Sequence, residues 1–333
     1  MHYSASNSAQ GNIVYVVILN WNGWQDTLDC LNSLLNSDSD SDNIKIIICD
    51  NGSSDNSIDE INNWCSAEHN IGVANISAND VNRNSSTATS TITLIHNQHN
   101  LGFAAGNNTG LRYALAQQDM SHVWLLNNDT EVAPQCLSAM LTRLATFTKP
   151  AICGSRVMFH EDTTIVQALG GNTFNKYTGI AGQSLGRFGH ENSPRDSNKI
   201  ENTIDYLSGC SILLPRSFLE TIGLMDEQYF LYYEEIDWAV RAKQKFVNIY
   251  ADDAVVYHKE GASIGSASLT TAPSLLSEFY CNKSKLLFMK KHYPLNLPWC
   301  YLALLGQVFN RFKRRQWQHG YQLASIIFGK RDF

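Results

Sequence analysis

These 333 residues contain no Cys-x-x-Cys pair, no Gly-x-Gly-x-x-Gly or Gly-Lys-Ser/Thr phosphate loop and no excess of basic residues. Each absence removes a class of function. The eight cysteines, at 30, 49, 65, 136, 153, 210, 281 and 300, are scattered, and several stand in apolar runs, as Cys49 does after Ile46, Ile47 and Ile48. They read as reduced core residues. A formal net charge of −6 leaves no electrostatic footprint for DNA or RNA, so no nucleic-acid partner is expected. The first dozen residues are polar and, apart from His2, uncharged, unlike the basic and apolar start of a secretory signal. The expectation is a cytoplasmic protein, or one peripheral on the cytoplasmic face of a membrane.

What is present is the pattern of an α/β protein. A chain of this length buries a full core, and 44% apolar with 17% charged residues is ordinary for a globular fold. Residues 12–19 (NIVYVVIL) and 44–49 are β-branched runs separated by a helix-compatible 24–35, a spacing that implies a parallel crossover. Strands at 92–96 and 122–126 with a helix over 105–118 continue the alternation, so the first half reads as a doubly wound sheet. Residues 66–91 shift to Asn, Ser, Thr and Ala and read as a surface insertion. After a strand over 151–157, the Gly-, Asn- and Ser-rich 170–202 reads as a long mobile loop. Strands at 212–214 and 247–250 and helices over 233–245 and 277–292 follow. The expected organisation is a polar tail 1–11, a catalytic domain 12–293 with a nucleotide-binding half 12–132 and an acceptor-side half 133–293, and a helical extension 294–333.

Ligands of open α/β sheets sit beyond the carboxyl ends of the strands. Those ends are Asn20-Trp21-Asn22-Gly23, then Asp50-Asn51-Gly52-Ser53-Ser54-Asp55, then Asn127-Asn128-Asp129-Thr130-Glu131. One rim collects Asn, Asp and Gly. Asp50 is placed to accept hydrogen bonds from a base or ribose, although Asp-Asn-Gly-Ser is equally ordinary turn and N-cap chemistry. Without a glycine-rich phosphate loop, a diphosphate at this rim calls for a metal ion, and Asp129 is its natural oxygen ligand.

Six blocks in order carry a more specific message: VVILNWNG (16–23), CDNGSSDNS (49–57), NLGFAAGNNTG (100–110), LLNNDTEV (125–132), LSGCSILLPRSFLETIGLMDEQYFLYYEEIDWAVR (207–241) and VVYHKEGASIG (255–265). Through them the chain resembles a family 2 glycosyltransferase of the bacterial rhamnosyltransferase-like branch. That resemblance implies a GT-A fold, with a mostly parallel central sheet flanked by helices, and a metal-assisted single displacement that inverts the anomeric carbon. It implies donor contacts from Asn20, Asn22, Asp50, Asn51, Gly102, Asn107, Asn127 and Asn128, and a Mg²⁺ or Mn²⁺ ion held by Asp129 and His258. Glu235 takes the family's catalytic-base position, where Asp is usual; Asn127 stands where the Asp-x-Asp motif has its first carboxylate. On residues alone, Glu234-Glu235-Ile236-Asp237 is also a solvated acidic first turn, and His258 a structural histidine. Glu234 and Asp237 share one helical face while Glu235 points about 100° away, so Glu234 and Asp237 stay open as alternative bases. Cys210 reads as a small core residue and Asp226 as a turn cap.

Beyond Pro294, Trp299, Leu302, Leu304, Leu305, Val308, Phe309 and Phe312 precede Lys313-Arg314-Arg315. An apolar face with a basic end over 297–315 suits an anionic inner-membrane surface, or packing on the domain or on a second copy in a homo-oligomer. Gln307 and Asn310 interrupt it too early for a span. The expected partners are a nucleoside-diphosphate sugar, rhamnose or another hexose, and a glycan or lipid-linked saccharide acceptor in surface polysaccharide synthesis. A catalytically silent sugar-nucleotide binder and a sugar nucleotidyltransferase are the rival readings; the second lacks its Gly-rich, Arg-containing loop after the first strand.

Overall fold

The computed structural model describes residues 13–38, 43–81, 90–259 and 274–329. The first half alternates as its apolar runs dictate: β1 (Ile13–Asn20), α1 (Trp24–Leu35), β2 (Ile44–Asp50), α2 (Ser57–Asn63), β3 (Val73–Ser77), β4 (Ile92–His96), α3 (Gly102–Ala116) and β5 (Met120–Asn127). Next come β6 (Thr130–Val132), α4 (Cys136–Ala145), β7 (Ala151–Phe159), β8 (Val166–Leu169), β9 (Gly171–Asn175), β10 (Ile180–Ser184), α5 (Ser197–Glu201), β11 (Tyr206–Leu207) and β12 (Ser211–Pro215). The chain then forms α6 (Arg216–Ile222), α7 (Glu234–Ala242), β13 (Val247–His258), α8 (Leu275–His292), α9 (Leu297–Lys313) and α10 (Trp317–Ile327).

The main sheet runs β3-β4-β2-β1-β5-β12-β7-β13-β6, with β8 added to β7. From β3 to β5 every pairing is parallel. Both faces are covered, which is why these strands are unbroken apolar runs rather than alternating ones. Along β1, Tyr15 and Val17 enter one core with α3, whereas Val14, Val16 and Ile18 enter the other with α1 and α4. All eight cysteines are free thiols, and all but Cys281 are buried. Burial pushes the Cys30 thiol up to about 12, so it stays protonated as a small apolar group.

Two segments depart from the sequence expectation. Within 66–91, residues 73–77 add an edge strand parallel to β4, and Val81 is buried in the core; residues 82–89 lie outside those described. The stretch 170–202, expected as a loop, contains β9, β10 and α5, and β9 centres an antiparallel three-stranded sheet with β10 and β11. Its few apolar side chains find burial at long range: Phe174 meets Phe288 of α8 edge-on, at 5.1 Å between centroids. Local composition could not register that partner.

Register brings the polar strand ends together, with Asn20 beside Asp50 and Leu19 beside Asn127. Asn20 is fully buried; its Nδ2 donates to Asp50 Oδ1 (2.9 Å) and Ser53 Oγ (3.2 Å), and its Oδ1 accepts from Thr27 Oγ1 (2.9 Å). One amide thus joins β1, β2 and α1. Asn20→Ala strands buried partners and should cost about 2–3 kcal/mol. Urea unfolding tests this, and a loss under about 0.5 kcal/mol would show that the network is dispensable.

Candidate active site

The carboxyl ends of β1 and β5, together with β8 and the N-terminal ends of α3 and α7, surround a cavity of about 430 Å³. That size suits a small organic ligand. Asn51, Gly102, Asn127, Asn128, Asp129, His258, Glu234 and Glu235 line it. Asn20, Asn22, Asp50, Asn107 and Asp237 are not on its wall. Sequence reasoning thus drew together two shells, one facing the cavity and one bracing it.

The bracing shell is fully engaged. Asp50 is buried, accepting from Asn20 and, through Oδ2, from the Ser53 amide at 3.1 Å. Asn22, at φ +50°, accepts the Ser54 amide at 2.8 Å and so ties the turn after β1 to the turn after β2. Asn107 donates to the Phe103 carbonyl one helical turn back, at 3.0 Å. Asn51 bridges the shells: its Nδ2 donates to Asn100 Oδ1 (3.0 Å) and its Oδ1 accepts from the Leu101 amide (3.1 Å), setting the entrance to α3. That entrance requires glycine, because Gly102 has φ +81° and a methyl there would lie 2.2 Å from the Phe230 carbonyl oxygen. Asn128 directs its amide to the Gly23 carbonyl and Thr27 Oγ1, both at 3.2 Å.

Asp129 lies in the turn between β5 and β6, where Thr130 pairs with His258 of β13. Its Oδ1 is 3.1 Å from His258 Nε2 yet makes no aligned hydrogen bond. Nδ1 of the same ring donates to Gln167 Oε1 at 3.0 Å, which turns Nε2 toward the carboxylate. Burial pushes the Asp129 carboxyl up, but His258 beside it outweighs this and holds it below the ordinary carboxylate range. An ionised, buried carboxylate with one oxygen still lacking a hydrogen bond, next to an oriented imidazole, is a donor set that fits a divalent cation. Among the described residues no third His, Cys, Asp or Glu joins them, so the other positions would fall to ligand oxygens and water.

On the wall of the same cavity, α7 starts abruptly. Tyr232 and Tyr233 precede it with φ of +66° and +74°, a region that tyrosine rarely enters. Side chains hold them there: the Tyr233 hydroxyl donates to the Gly179 carbonyl at 2.6 Å, and the Tyr232 hydroxyl meets Ser277 Oγ at 2.7 Å. The helix end therefore faces the cavity, so Glu234 and Glu235 both reach it and Asp237 does not. Glu235 packs so closely that a methyl on Gly209 would lie 2.2 Å from its Oε1. Burial, then repulsion from Glu235, push the Glu234 carboxyl well above its usual value, and burial raises Glu235 too. Asp237 is fully buried among Arg241, Lys291 and His292, each at 2.6 Å. The shared face expected of Glu234 and Asp237 is not the one used, because the cavity meets the helix at its end. Asp226 accepts the Gln228 amide at 3.0 Å, as a turn cap does, and pairs with Lys291.

The sequence reading missed Gln167 and Arg187, which also line the cavity. Gln167 had a signal, a polar residue inside the apolar run of β8. Arg187, lying over the Phe159 and Phe188 rings at 5.0 and 4.9 Å, had none.

The profile described as glycosyl transferase family 2 matches residues 15–223, well over half of the chain. The chain belongs to glycosyl transferase family 2. This family 2 chain is 28% identical over 152 residues to the low-salt glycan biosynthesis hexosyltransferase Agl10 of Haloferax volcanii, covering 45% of itself and 46% of that protein. It is 35% identical over 66 residues to an N-acetylglucosaminyl-diphospho-decaprenol L-rhamnosyltransferase of Mycobacterium tuberculosis, 20% of this chain and 22% of that one. The chain spans less than half the length of these curated relatives. The mannosyltransferase PcManGT of Pyrobaculum calidifontis, solved with GDP-Man and Mn²⁺, superposes with a TM-score of 0.57 at 13% identity over 97% of this chain and 89% of that one. GalNAc-T7, solved with UDP, GalNAc and Mn²⁺, gives 0.56 at 12% identity, covering 85% and 48%. At such identities the likeness shows the fold alone, which is the GT-A fold that the sequence blocks implied.

Within this family 2 site, the raised Glu234 carboxyl has a consequence for stability. A group protonated more readily when folded contributes fully below its unfolded value, near 4.5, and loses that contribution as pH rises through the raised folded value. Glu234→Gln mimics the protonated form and escapes the loss. Its Tm advantage over the parent should widen between about pH 5 and about pH 9 in fluorescence melts, and a constant difference would rule out a retained proton on Glu234.

Proposed function

We propose that this chain is an inverting glycosyltransferase that moves a sugar, with rhamnose or another hexose favoured, from a nucleoside diphosphate to a glycan or lipid-linked saccharide acceptor in surface polysaccharide synthesis. The observation that carries the reading is that one cavity is lined both by the Asp129–His258 pair and by the buried Glu234–Glu235 pair, whose carboxyl values burial raises. The protein acts on the cytoplasmic side, at a membrane reached through 297–315; among the described residues no helix is long and apolar enough to cross one.

Asp129 and His258 would hold Mg²⁺ or Mn²⁺. When bound, the ion neutralises charge developing on the departing diphosphate. Asn51 and the α3 entrance border the donor, while Asn20, Asn22, Asp50 and Asn128 keep those loops in place. Glu235 takes the proton of the acceptor hydroxyl. The acceptor oxygen then bonds to the anomeric carbon from the face opposite the breaking carbon–diphosphate bond. A raised carboxyl value favours this work, because a base strengthened by burial accepts a proton nearer neutral pH. Glu234, keeping its own proton longer, leaves Glu235 as the ionised member of the pair.

Asp129→Ala should lower transfer by about 100-fold or more and remove Mn²⁺-dependent stabilisation by sugar nucleotides in a thermal-shift screen. Near-normal turnover of the purified variant would sink the metal assignment. Glu235→Gln should retain donor-induced stabilisation while kcat falls roughly 10²–10⁴-fold. Binding without turnover by the parent protein, over a panel of donors and acceptors, would instead identify a silent binder.

A further inference from the structure

The formal charge of −6 conceals a division of the chain. From Phe279 to Arg331 there are ten Lys or Arg residues and no Asp or Glu, which leaves 15 basic residues against 31 acidic ones in the rest. The same segment gathers exposed apolar side chains. Of the twelve exposed large hydrophobic residues among those described, eight lie between Leu295 and Phe328. Leu295 stands just before α9, and on α9 Trp299, Leu302, Leu305 and Phe309 follow one helical stripe, the last 70% exposed. Trp317 and Tyr321 of α10 and Phe328 at its end follow another, and Phe312 joins the two by meeting Trp317 and Tyr321 at 5.6 and 5.2 Å between ring centroids.

Basic residues occupy the turn between these helices. Lys313, Arg314 and Arg315 are exposed, and Arg315 takes φ +59° at the helix end, where glycine would sit without strain. Glu278, in the first turn of α8, fixes this turn by accepting Arg311 Nε at 3.0 Å and pairing with His319 of α10. Two residues to either side of Glu278 on α8, Leu276 and Tyr280 line the cavity. The basic turn is therefore fastened to the wall of the candidate active site.

We infer that α9 and α10 together form a docking face for an anionic lipid bilayer, with Trp299, Leu302, Phe309 and Tyr321 entering the headgroup boundary and Lys313, Arg314 and Arg315 on lipid phosphates. This rests on the membrane-associated reading proposed above and extends it from 297–315 to a two-helix platform. Aromatic rings and cations without interspersed acids are the composition of an interfacial surface. A second copy meeting this face with its own would bring Lys313, Arg314 and Arg315 against the same three cations, with no acidic residue from 279 to 331 to offset them, so electrostatics favours the lipid.

Co-sedimentation of the full chain with vesicles of phosphatidylcholine alone, and with about 30% phosphatidylglycerol, tests the face. Binding is expected only to the anionic vesicles and should weaken with salt. Replacing Lys313, Arg314 and Arg315 by Gln should weaken it on the order of 100-fold. Trp299→Glu with Phe309→Glu should abolish it, while the thermal shift with sugar nucleotides stays unchanged because these positions are exposed and do not line the cavity. Vesicle binding requires no turnover, so a failed transfer assay leaves this result standing. The inference is overturned if anionic vesicles are not bound, if the variants bind as the parent does, or if sedimentation analysis without lipid finds a dimer that the Trp299 and Phe309 changes dissociate.

Discussion

The pairing of β6 with β13 is the constraint on which the site depends. Three residues of β6 are enough to place Thr130 opposite His258 and hence Asp129 against the imidazole. Lys259 braces the pairing at its site end. Lys259 donates its amide to the Asp129 carbonyl at 2.9 Å and sends its ammonium to Asp26 and Asp29 of α1 at 2.8 and 2.6 Å. Residues far apart in the chain thus meet at one strand end, and a burial that would neutralise a solitary carboxyl is opposed by a neighbouring imidazole and ammonium.

Elsewhere on the cavity wall the same problem is solved differently. Glu234 and Glu235 are buried side by side, and burial, with their mutual repulsion at Glu234, raises both carboxyl values instead. Asp237, three residues on, is buried just as deeply but stays ionised among Arg241, Lys291 and His292. Three carboxylates within four residues therefore have two fates, set by their partners. The left-handed Tyr232 and Tyr233 separate them by aiming the helix end, rather than a helix face, at the cavity.

Much of the scaffold was legible because burial on both faces forces a simple pattern. Runs such as Ile46-Ile47-Ile48-Cys49 admit few readings other than a central strand, and the polar residues that follow them do converge on one rim. Burial of an exposed-looking segment by a distant element left no local trace. The sheet over 171–184 depends on Phe174 meeting Phe288, more than a hundred residues away. In the site, residue types marked the Asp129 turn and the Glu pair, but not which side chains line the cavity: Asn20 and Asp50 carry the right chemistry, are not on its wall, and make their hydrogen bonds to the scaffold. The tyrosine conformation could not be read, since the usual marker of a left-handed residue is glycine or asparagine.

Segregated charge gives the molecule an orientation that its net charge hides. The 31 acidic residues are almost all confined to the part before Phe279, while the two C-terminal helices have no acidic residue and the end of α9 with the turn after it carries Arg311, Lys313, Arg314 and Arg315. An anionic surface therefore repels the acid-rich sheet domain and attracts the basic turn between α9 and α10 at the same time, and the two forces act on one structure joined through α8 and Glu278. A neutral chain with the same apolar stripes could lie on a surface in many attitudes. This one has a preferred attitude, and the helix that fixes it also supplies Leu276 and Tyr280 to the cavity wall.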